Sequence, residues 1–211
     1  MIAFDDAFNA LPLGAILRGL RPDHAVDVAE VLVEAGFRVI EVPLNSPEPF
    51  ASIEKIAARF GQQAMIGAGT VLTAGDARRT LDAGGRLVVA PNFDARVGKV
   101  AVDTGAAWCP GVLTPTEAFA AIEVGATALK IFPAELVPPA GVAALRAVLP
   151  RDSRLIIVGG VTPGTMEPYL KAGANGFGLG SALFKADRAL GDIAARAREF
   201  VAAIRAGTNA D

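Results

Sequence analysis

Five times the chain ends a helical stretch on glycine and then starts a new apolar run: Glu34-Ala35-Gly36-Phe37, Asp82-Ala83-Gly84, Asp103-Thr104-Gly105-Ala106, Glu123-Val124-Gly125-Ala126 and Lys171-Ala172-Gly173-Ala174. Glycine adopts positive φ without a Cβ clash, so each instance marks a helix handing over to a strand. The helix starts are as legible. Thr114-Pro115-Thr116-Glu117 combines a capping threonine, a proline at the first helical position and a glutamate placed to reach back, and Ser46-Pro47 and Thr162-Pro163 repeat the cap-then-proline pair. Between them lie eight short runs suited to strands: Leu13–Leu17, Val39–Pro43, Ala64–Ala68, Leu87–Ala90, Ala107–Cys109, Ala128–Phe132, Leu155–Val158 and Gly176–Leu179. They are continuous rather than alternating, as parallel strands covered on both faces require. Eight such strands, each followed by a helix, close most economically as an α/β fold of the (β/α)8 TIM barrel type. Phe4–Leu11 is expected as an extra N-terminal helix over the bottom, and residues 1–211 as a single barrel domain. A doubly wound open sheet needs a glycine-rich turn after the first strand, and Leu17-Arg18-Gly19-Leu20 is not one.

Composition removes several classes of function. The formal net charge is -2, with Lys and Arg scattered along the chain, which argues against nucleic-acid and polybasic membrane partners. One cysteine, Cys109, and one histidine, His24, supply neither an internal disulfide nor a Cys/His metal cluster. No bound metal and no organic cofactor are expected. Asp5-Asp6 does not fit a signal peptide, and no apolar run approaches the ~18 residues of a membrane span, so a cytoplasmic protein is expected. A hydrophobic fraction of 52% leaves apolar surface for contacts between subunits.

Against this background two charges stand out. Lys130 interrupts Ala128-Leu129-Lys130-Ile131-Phe132-Pro133, where Val or Ile belongs. An ammonium among apolar walls tends to lose its proton, and a neutral amine attacks carbonyls to form a Schiff base. The bland alternative is a lysine whose stem packs and whose head reaches water. Glu41, inside Val39-Ile40-Glu41-Val42-Pro43, is the second. It is either half of a structural ion pair or a proton shuttle for an amine in the same barrel mouth.

In barrels of this type the chemistry lies at the carboxyl ends of the strands. Those ends carry Arg18, Glu41, Thr70, Pro91-Asn92, Pro110-Gly111, Lys130, Gly159-Gly160 and Gly180-Ser181. The glycines of Val158-Gly159-Gly160-Val161 and Gly178-Leu179-Gly180-Ser181 let backbone amides approach an anion, and strand ends seven and eight often hold a phosphate. Tight turns are the competing explanation. Arg18 suits a carboxylate through two parallel hydrogen bonds, and Thr70 offers a hydroxyl in a glycine-rich neighbourhood. Cys109 is expected as a small buried residue and His24 as a solvent-side one, neither with a role.

Taken together, Ala15-Ile16-Leu17-Arg18-Gly19, Glu41-Val42-Pro43-Leu44-Asn45-Ser46-Pro47, Gly67-Ala68-Gly69-Thr70-Val71, Ala90-Pro91-Asn92, Cys109-Pro110-Gly111, Leu129-Lys130-Ile131-Phe132-Pro133, Gly159-Gly160-Val161 and Gly178-Leu179-Gly180-Ser181 resemble the KDPG/KHG aldolase family along essentially the whole chain. The resemblance implies a class I aldolase that cleaves a 2-keto-3-deoxy-6-phospho sugar acid to pyruvate and glyceraldehyde 3-phosphate, in a homotrimer. It implies Lys130 as the Schiff-base lysine and Glu41 as the general acid/base. Arg18 and Thr70 become carboxylate ligands, Gly159, Gly160, Gly180 and Ser181 the phosphate site, and Pro91 and Phe132 further substrate contacts. Gluconate-type members carry Thr-Leu-Arg-Thr after the catalytic Glu and a Thr before the Gly-Gly pair. Here those places hold Pro43-Leu44-Asn45-Ser46 and Val158, as in the galactonate-type branch, which makes Asn45 and Val158 the specificity residues. A KDPG aldolase with relaxed C4 specificity, a phosphosugar isomerase or synthase on the same barrel, and a catalytically silent phosphosugar sensor remain alternatives.

Overall fold

The computed structural model describes residues 2–208. Nine hydrogen-bonded strand segments, all parallel, run in the order β5-β4-β3-β2-β1-β9-β8-β7-β6. They are β1 (Leu13–Ile16), β2 (Val39–Pro43), β3 (Met65–Gly69), β4 (Leu87–Val89), β5 (Ala107–Cys109), β6 (Gly111–Val112), β7 (Leu129–Ile131), β8 (Leu155–Val158) and β9 (Gly176–Leu179). The two end segments of that order are one strand, β5 and β6, interrupted only by Pro110, which has no N–H to contribute. Across the junction Thr127 and Lys130 donate their backbone N–H groups to the carbonyls of Trp108 (2.8 Å) and Pro110 (2.9 Å). The sheet therefore closes into the eight-stranded barrel that the sequence predicts, with its fifth strand split in two.

Helices follow the strands: α2 (Ala25–Glu34), α3 (Pro49–Phe60), α4 (Ala74–Asp82), α5 (Ala95–Asp103), α6 (Pro115–Val124), α7 (Pro139–Val148), α8 (Met166–Lys171) and α9 (Leu190–Thr208), after a first helix α1 (Phe4–Ala10) ahead of β1. The five predicted glycine stops all have positive φ, from 72° at Gly105 to 107° at Gly36. Thr114 makes the full capping box with Glu117, and Thr162 with Thr165 opens a short 3-10 turn ahead of α8. Ser46 is a correction. It does not cap α3, which starts at Pro49 behind Glu48; Ser46 is buried, and its Oγ accepts the Gly19 N–H at 3.0 Å, tying the β2 exit to the β1 exit.

Burial on both strand faces creates two cores. Outward side chains such as Ile40, Val42, Ile66, Val88, Trp108 and Leu129 pack under the helices. Inward ones, among them Val39, Met65, Leu87, Val89, Ala107, Cys109 and Ala128, form a narrower cluster with Phe4, Ala7 and Phe8 of α1. Phe4 and Phe8 stack with ring centroids 5.5 Å apart, so α1 closes one end of the barrel. No helix among the described residues is long and apolar enough to cross a membrane.

The seam between β5 and α5 is built around the chain's one tryptophan. Trp108 is fully buried, and its six-membered ring occupies the space that a β-carbon on Gly98 would need. Gly98→Ala is therefore expected to destabilise by about 2 kcal/mol, the usual cost of an extra methyl in a filled core. Urea unfolding followed by Trp108 fluorescence checks this, and an unchanged midpoint would show that the ring has room to retreat.

Candidate active site

Strand register sets the geometry. Within β7 and β2, alternation turns Lys130 and Glu41 inward, between outward-facing Leu129 and Ile131 in one strand and Ile40 and Val42 in the other. Three strands, β1, β9 and β8, separate β2 from β7 along the sheet, so the two side chains come from opposite walls. Both are buried, Glu41 at 5% exposure and Lys130 at 7%. They line a common internal cavity of about 50 Å³ whose floor is Phe4 and Phe8 and whose walls include Cys109, Ile156 and Val158.

Their protonation follows from that enclosure. Burial pushes the Glu41 carboxyl up to about 7 from 4.5, against the downward pull of Lys130 and then Arg18. Burial likewise drives Lys130 below the ordinary lysine value, opposed by Glu41 and assisted by Arg18. Desolvation thus outweighs the attraction on both sides and moves the pair towards its neutral forms. Glu41 Oε2 has no hydrogen-bond partner, which is the arrangement of a carboxyl kept free for a proton rather than locked in a bridge. The Lys130 Nζ stands 4.7 Å from the Phe132 ring centroid. Gly69, facing the same interior from β3, makes room for Glu41: a β-carbon there would overlap the carboxylate.

At the mouth the predicted residues divide between two hollows. Arg18, Phe132, Val158, Gly159, Gly160, Gly180 and Ser181 line one cleft of about 820 Å³. Thr70 and Asn45 line a neighbouring groove of about 600 Å³ at the β2 and β3 ends, and Thr70 holds φ at 57°, a conformation rare outside glycine. Pro91 lies two residues past β4, with its carbonyl in the space a β-carbon on Gly111 would need. Gly159 and Gly160 have φ of 118° and 59°, so this backbone bend admits other residues only with strain. After β9 the turn Gly180–Phe184 is closed by the Leu183 and Phe184 N–H groups on the Gly180 carbonyl, at 2.9 and 3.0 Å. Arg188 braces it by donating to the Ala182, Leu183 and Ser181 carbonyls. Cys109 is buried with its thiol pushed up to about 12, mainly by burial, and is no nucleophile.

Three charged residues of that cleft escaped the sequence reading: Glu135, Lys185 and Arg188. Each is a charge in a connecting segment, where surface residues are the common case, and none interrupts an apolar run. Glu135 alone carried a faint signal, two positions beyond Pro133.

An amine and a carboxyl brought face to face inside a parallel barrel are the working parts of a class I, imine-forming aldolase. Comparison with known proteins agrees. Residues 5–196 match the family described as KDPG and KHG aldolase. The chain is 48% identical, over 91% of each sequence, to a probable 2-dehydro-3-deoxy-6-phosphogalactonate aldolase of Rhizobium meliloti (strain 1021). It is 45% identical to the 2-dehydro-3-deoxy-6-phosphogalactonate aldolase of Escherichia coli (strain K12), over 92% of this chain and 95% of the other. A solved structure described as native KDPGal superposes with a TM-score of 0.93 at 44% identity, covering 94% of this chain and 97% of that one. The chain belongs to the KDPG and KHG aldolase family and is a carbon–carbon lyase that works through a Schiff base.

The raised Glu41 value has a consequence for stability. In the unfolded chain this carboxyl ionises near 4.5, whereas folded it keeps its proton up to about 7. Stability from this group is complete below the lower value and is lost as pH rises through the higher one. Relative to Glu41→Gln, the wild-type protein should lose about 3 kcal/mol between about pH 4 and pH 8. Urea titrations of both proteins across that range measure the difference, and parallel curves would mean that Glu41 is solvated in the folded state.

Proposed function

We propose that the chain cleaves 2-dehydro-3-deoxy-6-phospho-D-galactonate to pyruvate and D-glyceraldehyde 3-phosphate. The observation that carries the chemistry is the buried Lys130 opposite a carboxyl with a value of about 7. A neutral amine attacks the C2 ketone. Glu41 donates the proton with which the carbinolamine loses water, and the Lys130 iminium becomes the electron sink. The Glu41 carboxylate then takes the C4 hydroxyl proton, the C3–C4 bond breaks, and its electron pair forms the pyruvate enamine while the aldehyde leaves. Protonation at C3 and hydrolysis release pyruvate and restore the amine. A group titrating near neutrality fits this double duty, because it must give a proton in one step and take one in the next.

Around that centre Gly159, Gly160, Gly180 and Ser181 hold the phosphate, Arg18 and Thr70 serve the carboxylate end, and Pro91 and Phe132 complete the substrate contacts. Support for the phosphate reading comes from the cleft itself, where two glycines of positive φ and a turn beginning at Gly180 flank one hollow. The galactonate assignment draws on the names of the two relatives at 45 and 48% identity and on the position of Val158, which faces both the inner cavity and the mouth cleft. Asn45, in the groove beside Thr70, contributes from the other side. The protein is proposed to work as a cytoplasmic homotrimer, with no nucleic-acid partner, metal or organic cofactor.

Incubation with pyruvate and borohydride is expected to leave a reduced adduct on Lys130 alone among the five lysines, located by peptide mass spectrometry. No adduct on folded protein would remove these roles and favour an isomerase or synthase on the same barrel. For the epimer wall, Val158→Thr restores a hydroxyl, and the ratio of kcat/KM for the gluconate over the galactonate substrate should rise by about tenfold. A ratio that stays put would take Val158 out of the discrimination.

A further inference from the structure

The corner assigned to the phosphate already faces an anion. Among the described residues lining that cleft, the charged side chains are Arg18, Lys185, Arg188 and a single acid, Glu135. Glu135 stands in the three-residue turn Ala134–Leu136, directly after the strand that carries Lys130. Its Oε2 fills the space that a β-carbon on Gly159 would occupy, and its Oε1 lies 3.3 Å from where one on Gly160 would be. Both carboxylate oxygens therefore rest on the Gly159-Gly160 backbone. The side chain is exposed, and among the described residues it has neither an ion-pair nor a hydrogen-bond partner. No bond holds it there; the turn it springs from places it against that bend, in a cleft also lined by Arg18, Lys185 and Arg188.

A carboxylate and a phosphate dianion cannot share one seat, since they would fill the same space and like charges at about 4 Å repel even in water. We propose that Glu135 is a specificity-determining residue, a tethered competitor that occupies the phosphate corner when it is empty and is displaced by the substrate's phosphate. This rests on the phosphate assignment made above. The arrangement filters ligands by charge. A carboxylate or chloride gains little by displacing a resident carboxylate of equal charge, whereas a phosphate ester brings up to two charges and three acceptor oxygens to the corner. It also favours emptying of the corner once the C3–C4 bond is broken and the phosphorylated aldehyde is no longer tied to Lys130.

The probe is inorganic phosphate, used as an inhibitor of cleavage of the phosphorylated substrate by the full-length protein. In the wild type, inhibition should be competitive. In Glu135→Gln the inhibition constant should fall by about fivefold or more, the effect of removing one unit charge at about 4 Å even in bulk water. Glu135→Ala, which offers no new hydrogen-bond donor, should shift in the same direction, and thermal unfolding of each variant is the control for folding. Tightening in both variants supports the tethered competitor. Unchanged or weaker inhibition in folded variants overturns it while the phosphate corner stands, and so does tightening in Gln but not in Ala, which would reflect a donor gained. A wild-type enzyme that phosphate does not inhibit competitively would remove the phosphate corner itself, and the proposal with it.

Discussion

Everything in this barrel depends on the cost of taking two opposite charges out of water in the same small space. Lys130 and Glu41 could have settled that cost by forming a tight salt bridge, which would have fixed the amine as an ammonium and ended its usefulness as a nucleophile. They come instead from opposite walls, with Glu41 Oε2 unpartnered, and desolvation dominates the balance of each. The fold enforces this from below. Phe4 and Phe8 close the barrel floor under the two groups, so the cavity stays apolar and the Glu41 carboxyl keeps its proton to about neutrality. The helix before the first strand thus sets the surroundings of the charged pair as well as the packing.

Glycine is the other half of the construction, and three inward glycines each have a specific neighbour. Gly69 stands beside Glu41 because a side chain there would collide with the carboxylate, and Gly67 lies where any side chain would run into the Leu87 carbonyl of the next strand. Gly178 leaves space for Val158, the residue proposed to face the substrate's C4. The interior is therefore shaped by subtraction. Small residues on β3 and β9 clear a path between an amine on β7 and a carboxyl on β2, while Ile40, Val42, Leu129 and Ile131, the neighbours of the two charges, are turned outward beneath the helices.

That division explains what the sequence disclosed. The barrel was legible because its signals are local: a capping residue, a glycine stop and an apolar run need no partner to be recognised. Lys130 and Glu41 were legible because each breaks an apolar run, and a buried charge has few reasons to exist. What escaped depends on contacts between distant segments. Ser46 looks like a helix cap, yet it is spent on Gly19, 27 residues away. The two faces of each strand could not be sorted, since continuous apolar runs carry no period-two mark. Glu135 resembled any exposed acid; its place against the Gly159-Gly160 bend, which follows a different strand, is set only by the fold. Likewise, nothing in the order of residues said that Thr70 and Asn45 would open onto one hollow and Arg18 onto another.

The separation of those hollows bears on how one carboxyl can serve the whole reaction. In the proposed reaction, a substrate joined to Lys130 at C2 and held by phosphate at the β8 and β9 ends runs along the cleft wall that contains Val158, since β8 is the strand next to β7. In that proposed placement its C3–C4 bond lies between Lys130 and the corner, facing the wall from which Glu41 projects. Anchoring at both ends takes the orientation of the middle out of the hands of chance, so a single acid/base group suffices if its proton affinity suits both directions of transfer. Burial supplies that affinity. A solvated glutamate would be a poor acid for the dehydration step at neutral pH, and one bridged to an ammonium would be a poor base for the cleavage. The enclosure that makes the pair costly to fold is the same enclosure that suits one carboxyl to both steps of the proposed reaction.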